Sequence, residues 1–128
     1  MRLLLDTCAL LWFVDDADQL SATARQQLAD GDNEVFVSVA SYWEIVIKYH
    51  KGRLELPCEP DEWFSAAVAE DALLDVEAPD ITALHRLGSP GEHKDPFDRL
   101  LIATASRLDL AIVTSDVRFA PYGVKVVW

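Results

Sequence analysis

Four acidic residues stand where a short apolar run ends, where a helix begins, or alone within an apolar helical stretch, and their placement is the part of this sequence with chemical meaning. Asp6 closes Leu3-Leu4-Leu5, and Asp116 follows Ala111-Ile112-Val113-Thr114-Ser115. Glu44 is the only charge in Tyr42-Trp43-Glu44-Ile45-Val46-Ile47, and Asp98 sits in Asp95-Pro96-Phe97-Asp98. Carboxylates gathered from separate segments repel and raise one another's pKa, so such a set survives folding only with a compensating charge. A divalent cation such as Mg²⁺ supplies it, because hard cations take carboxylate oxygens and need neither Cys nor His.

Each acid also has a plain structural use. Asp95 before Pro96 is what a helix N-cap looks like, so its reading stays divided between capping and orienting a site. Ser41-x-x-Glu44 has the spacing of a capping box, although the helical pattern starts earlier, at Ser38. Asp98 has Leu101, Ile102 and Ala105 at plus three, plus four and plus seven, which turns its carboxylate toward the apolar side. Thr7, Thr114 and Ser115 are small hydroxyls beside these acids. They suit the orienting of a ligand or a water, and equally ordinary turn hydrogen bonds.

These residues meet only if the elements bring them to one edge. Strands are expected over 3–5, 35–37, 111–113 and 124–127, from short β-branched or leucine runs. Helices are expected over 7–14, 21–30, 39–50, from 60 onward, over 80–87 and over 96–108. Strands alternating with helices predict an α/β fold: a three-layer α/β/α sandwich with a mainly parallel, roughly five-stranded sheet. In open parallel sheets the ligand site lies beyond the carboxyl ends of the strands, and that is where Asp6 and Asp116 fall.

The composition sets the outer bounds. With 128 residues and 51% apolar side chains the chain reads as one domain, 1–128, able to bury roughly two thirds of its unfolded surface. Its 22 Asp and Glu against 11 Lys and Arg give a net charge of −11, which excludes a basic nucleic-acid coat protein. The longest apolar run, residues 8–14, is far short of the ~18 needed to cross a bilayer. Asp6 also interrupts the leader-like start. A cytoplasmic protein with no membrane partner is expected. Cys8 and Cys58 read as small buried or half-buried side chains rather than a disulfide framework. Two basic groups stand out: Lys48, His50, Lys51 and Arg53, and Arg86, His93, Lys94 and Arg99. The histidines show no zinc spacing, and core packing is the default for the four tryptophans.

Taken in order, Leu4-Leu5-Asp6-Thr7, Ser41-Tyr42-Trp43-Glu44-Ile45 with Lys48 and Gly52-Arg53-Leu54, His93-Lys94-Asp95-Pro96-Phe97-Asp98-Arg99-Leu100-Leu101-Ile102-Ala103, and Val113-Thr114-Ser115-Asp116 span the chain. Together they resemble a PIN-domain ribonuclease of the VapC toxin type. The resemblance implies a PIN-like sandwich and hydrolysis of RNA phosphodiesters with Mg²⁺ or Mn²⁺. It places metal and catalysis on Asp6, Glu44, Asp98 and Asp116, chiefly Asp6 and Asp98, with Asp95, Thr7, Thr114 and Ser115 in orienting roles. Lys94, Arg99 and Lys48 are the expected RNA contacts. A cognate antitoxin lying along the acidic face and a homodimer are implied as well. Cys8 and Thr104 depart from the subgroup's His and Gln. Two rivals share the fold class: a phosphoacceptor receiver-like domain, which wants an acidic pair after the first strand and a late Lys, and a catalytically silent PIN-fold interaction module.

Overall fold

The computed structural model describes residues 1–71, 73–76, 87 and 93–128, with the backbone alone at 74–76. Strand β1 is Arg2–Leu5, and helix α1, Thr7–Val14, follows it after a single residue. Then come α2 (Ala22–Ala29), β2 (Glu34–Ser38), α3 (Val39–His50), α4 (Pro60–Glu70) and β3 (Leu74–Val76). The chain closes with α5 (Pro96–Leu108), β4 (Ala111–Val113), a short 3-10 helix (Val117–Tyr122) and β5 (Val126–Val127). The helix expected over 80–87 falls, but for Leu87, outside the described residues, as does Arg86.

The five strands form one sheet in the order β3-β2-β1-β4-β5, every neighbouring pair parallel. β1 lies at the centre. Its residues Leu3 and Leu4 pair with Val35 and Phe36 on one side and with Ala111 and Ile112 on the other. Because side chains alternate along a strand, Leu3 and Leu5 enter the core beneath one face, with Ala9, Leu10, Ile45 and Trp63. Leu4 enters the other, with Leu101, Ile102, Ala105 and Phe119. All three leucines are fully buried, and each is worth roughly 1.5–3 kcal/mol of burial. Both faces are covered, as the unbroken apolar run required.

Local signals set the helix starts. Ser38 caps α3 by accepting from the Ala40 amide at 3.0 Å, and Asp95 caps α5 by accepting from the Phe97 amide at 2.8 Å and the Asp98 amide at 3.3 Å. The capping box read from Ser41 and Glu44 is therefore not formed: α3 begins three residues earlier. Gly52, just past α3, has φ +69°, a conformation glycine takes without strain. Strand β3 was not anticipated, and of 124–127 only Val126 and Val127 pair. Among the described residues no helix is long and apolar enough to cross a membrane.

Candidate active site

The strand order reverses direction between β1 and β4, since the chain moves outward from β1 to β2 and β3 and later returns on the opposite side. The crevice at the carboxyl ends of these two strands is where an open α/β sheet takes ligands. Asp6 follows β1 there, and Thr114 and Asp116 follow β4.

Asp6 is 7% exposed and does two jobs with its two oxygens. Oδ1 accepts from the Ala9 amide at 2.7 Å, capping α1, and Oδ2 accepts from the Thr114 hydroxyl. Thr114 Oγ1 in turn accepts from the Asp116 amide at 3.0 Å, so one hydroxyl ties the end of β1 to the turn after β4. Burial raises the Asp6 pKa; these hydrogen bonds oppose it, and the Asp116 and Glu44 charges add to it.

Glu44 is 5% exposed on α3, whose inward face carries Ala40, Ser41, Glu44 and Ile45. Its Oε1 lies 2.7 Å from the Thr7 hydroxyl, and its Oε2 is paired with Lys48 one turn on. Thr7 also lies 3.1 Å from Ser41 Oγ. Burial opposes the Lys48 charge, yet the Glu44 carboxylate outweighs it and the ammonium pKa is raised.

Asp98 enters from the first turn of α5 and stays partly buried. Its pKa is pushed up to about 8, first by burial and then by Asp95, Asp6, Glu44 and Asp116. All four carboxylates named from the sequence therefore share one field. Asp116 is moved the other way: the Arg118 guanidinium, which contacts both its oxygens at 2.7–3.1 Å, holds it below the ordinary carboxylate range.

Two residues outside the expected site complete it. Arg118 is exposed and pairs with Asp116. His93 is fully buried, with Nε2 2.9 Å from Asp98 Oδ2 and 3.1 Å from Asp116 Oδ2. Neither contact is aligned as a hydrogen bond, and neither ring nitrogen has a hydrogen-bond partner among the described residues. Phe119 packs against the ring edge to face, with centroids 5.0 Å apart. Within the sequence His93 stood among the bases near Asp95 and at the head of the segment that carries the family resemblance, with no periodicity to mark it as a site residue.

Several expectations are revised. Arg99, read as an RNA contact, is 7% exposed and turned inward: its Nη1 donates to the His93 carbonyl and to the Tyr122 hydroxyl, each at 3.3 Å. A guanidinium so placed braces the loop instead of meeting solvent. Asp95 serves as an N-cap. Trp43 is not core; it is 58% exposed, edge-on to Phe97 at 5.4 Å. Cys8 is exposed and only Cys58 half-buried. Ser115 is exposed, Lys94 is exposed, and Thr104 is buried, its hydroxyl donating to the Leu100 carbonyl at 2.8 Å.

The donor set fits a divalent cation. A nitrogen of His93 and one oxygen each of Asp98 and Asp116 lie within 4.8 Å of one another, the only such group among the described residues. Burial raises Asp98 most and the neighbouring acids raise it further, and a bound cation offsets both by favouring the carboxylate. Asp6 and Glu44 are not members of that group: Asp6 is held by the Ala9 amide and the Thr114 hydroxyl, and Glu44 by Thr7 and Lys48. A groove of about 180 Å³ beside Glu44 is lined by Lys48, Lys51, Arg53, Asp95 and Phe97. A larger cleft of about 450 Å³, by Met1, Arg2, Asp109 and Lys125, lies at the amino ends of the strands and is the poorer candidate in this sheet type.

This is a PIN fold. The PIN domain family matches residues 3–125, and the chain belongs to that family. No curated protein matches the sequence. Among solved structures, VapBC2 from Rickettsia felis bound to a DNA fragment from their promoter superposes with a TM-score of 0.66 at 12% identity, covering 98% of this chain and 97% of that one. VapBC-1 from nontypeable Haemophilus influenzae gives 0.62 at 13% identity, covering 98% and 96%. DNA-bound VapBC from Salmonella typhimurium gives 0.61 at 16% identity, with the same coverage of 98% and 96%. The receiver-like rival does not agree with this family membership.

Proposed function

We propose that this chain is a metal-dependent endoribonuclease toxin of the VapC type, hydrolysing RNA phosphodiester bonds with Mg²⁺ or Mn²⁺ and restrained by a cognate antitoxin. The observation that carries the reading is the convergence of Asp6, Glu44, Asp98 and Asp116 at the switch point, where burial first, and then the charges of Asp95, Asp6, Glu44 and Asp116, lift Asp98 to about 8.

Asp98 and Asp116 hold the cation most closely in this reading, and Asp6 and Glu44 complete the anionic wall. When bound, the cation offsets charge on the phosphoryl oxygens and acidifies a water for in-line attack. The protein's part is placement. Thr114 fixes Asp6, Thr7 and Lys48 fix Glu44, and Arg118 steadies Asp116. Asp95 orients the start of α5, which carries Asp98. Ser115, exposed between Thr114 and Asp116, is placed to orient a ligand or a water. Lys94 and Lys48, with Lys51 and Arg53 along the groove, meet the phosphates. They are few, so nonspecific binding is weak for a chain of net charge −11.

An antitoxin segment is proposed to lie across the acidic face, where the exposed Trp43 edge against Phe97 offers an apolar anchor. The fold likeness to chains of VapBC complexes supports the pairing. A homodimer and a cytoplasmic location belong to the same reading. The test is RNA cleavage with Mg²⁺ or Mn²⁺ and with chelator, for wild type, Asp6→Asn and Asp98→Asn. Loss in both variants and in chelator is expected; undiminished cleavage in any of them refutes the assignment. A folded, Mn²⁺-loaded wild type that cuts no RNA favours the silent interaction module.

A further inference from the structure

We infer that His93 is a nitrogen ligand of the cation at this site, beside Asp98 and Asp116, and that it biases the site toward Mn²⁺ over Mg²⁺. The inference rests on the metal-site reading above and adds a donor of a different chemical kind to an all-oxygen set.

Three observations meet on the imidazole. It is fully buried; among the described residues Nδ1 has no hydrogen-bond partner, and Nε2 meets only the two carboxylates, without forming an aligned hydrogen bond to either. Its Nε2 lies 2.9 Å from an Asp98 oxygen and 3.1 Å from an Asp116 oxygen. Neighbouring ligands of an octahedral ion with bonds of about 2.1 Å are separated by √2 times that length, about 3.0 Å. Both contacts have the length of such an edge. A ring nitrogen aimed at the common centre points about 45° away from each edge, well off the near-linear alignment a hydrogen bond prefers. Close approach without hydrogen-bond alignment is what the two contacts show.

The loop also holds the ring in place. The His93 amide donates to the Tyr122 hydroxyl at 3.2 Å, and the His93 carbonyl accepts from Arg99 Nη1 at 3.3 Å, while Phe119 meets the ring edge to face. A donor fixed in this way loses little freedom on coordination. Mg²⁺ keeps to oxygen ligands and water, whereas imidazole suits transition ions. A nitrogen at this position therefore favours Mn²⁺ over Mg²⁺, the ion of the two that accepts a nitrogen donor, while later transition ions would bind it more strongly still.

The experiment loads the full chain with Mn²⁺ or Mg²⁺ and follows binding by calorimetry and, for Mn²⁺, nitrogen coupling by pulsed electron paramagnetic resonance. Wild type is expected to show a directly coordinated nitrogen whose signature changes when histidine alone is ¹⁵N-labelled. His93→Gln is expected to lose that signal, with Mn²⁺ affinity falling tenfold or more and Mg²⁺ affinity less than threefold. Mn²⁺ bound to wild type without any nitrogen coupling overturns the ligand role, while loss of that binding in Asp98→Asn leaves the carboxylate site standing. Mn²⁺ failing to bind wild type overturns both. The spectrum of wild type decides the matter even if His93→Gln does not fold.

Discussion

Replacing Asp98 by asparagine keeps the side chain's shape and removes its charge, and the consequence follows from the electrostatics of the crevice. The Asp98 carboxyl is raised from 3.8 to about 8, by burial first and then by Asp95, Asp6, Glu44 and Asp116. Between those values the folded chain keeps a proton that the unfolded chain has released, so the folded state loses stability as pH rises. At about 1.4 kcal/mol per pH unit, the ceiling at pH 7 is about 4 kcal/mol. The neighbouring acids share the repulsion, and the asparagine amide needs partners of its own, so the expected gain for Asp98→Asn is about half that, ~2 kcal/mol. Denaturant unfolding in chelator at pH 4, 7 and 9 measures it. The two proteins should be alike near pH 4, separate as pH rises toward about 8, and hold a constant difference above it. Added Mn²⁺ should stabilise only the wild type, by about 2.7 kcal/mol at a hundred times its Kd, enough to close the ~2 kcal/mol gap at pH 7 and slightly reverse it. A variant no more stable than wild type at pH 9, or a difference that ignores pH, refutes the reasoning.

Other residues carry separate expectations. Thr114→Val leaves Asp6 Oδ2 and the Asp116 amide without their shared hydroxyl, and should cost roughly 1–3 kcal/mol in thermal or denaturant unfolding; a cost below 0.5 kcal/mol would show that water replaces it. Arg99→Met removes the buried brace on the His93 carbonyl and Tyr122, and is expected to destabilise by roughly 1–3 kcal/mol while leaving the salt slope of RNA binding unchanged. Lys94→Ala, at an exposed position, should do the opposite, lowering that slope by about 1 with stability held within ~0.5 kcal/mol. Trp43→Ser, despite losing a large side chain, is expected to cost less than about 1.5 kcal/mol because the ring is mostly in solvent.

Helix starts were legible because capping is local. Ser38 before Val39 and Asp95 before Pro96 satisfy amides two and three residues away, and α3 and α5 begin where those residues say. β3 was not legible: a three-residue strand exists only through its pairing with β2, a contact more than 30 residues distant. Trp43 misled for a related reason. It stands in an apolar run, but 100° per residue turns Ser41, Glu44 and Ile45 inward and leaves Trp43 outside.

Asp6, Asp98 and Asp116 were readable from sequence because each sits at an element's end, and Glu44 because it is the only charge in the apolar stretch of the helix that follows β2; parallel α/β topology carries those strand ends to one crevice. Asp6, Glu44, Asp98 and Asp116, and the need for something to offset their charge, were thus determined by the sequence alone. Which groups touch was decided only in three dimensions. Arg99 follows Asp98 directly, yet helical phase sends it into the interior; His93 lies in a loop five residues earlier, yet the loop folds its ring between Asp98 and Asp116. Spacing along a chain records periodicity within an element, whereas the path of a loop is set by the long-range contacts that anchor it. Here those anchors are Tyr122 and Arg99.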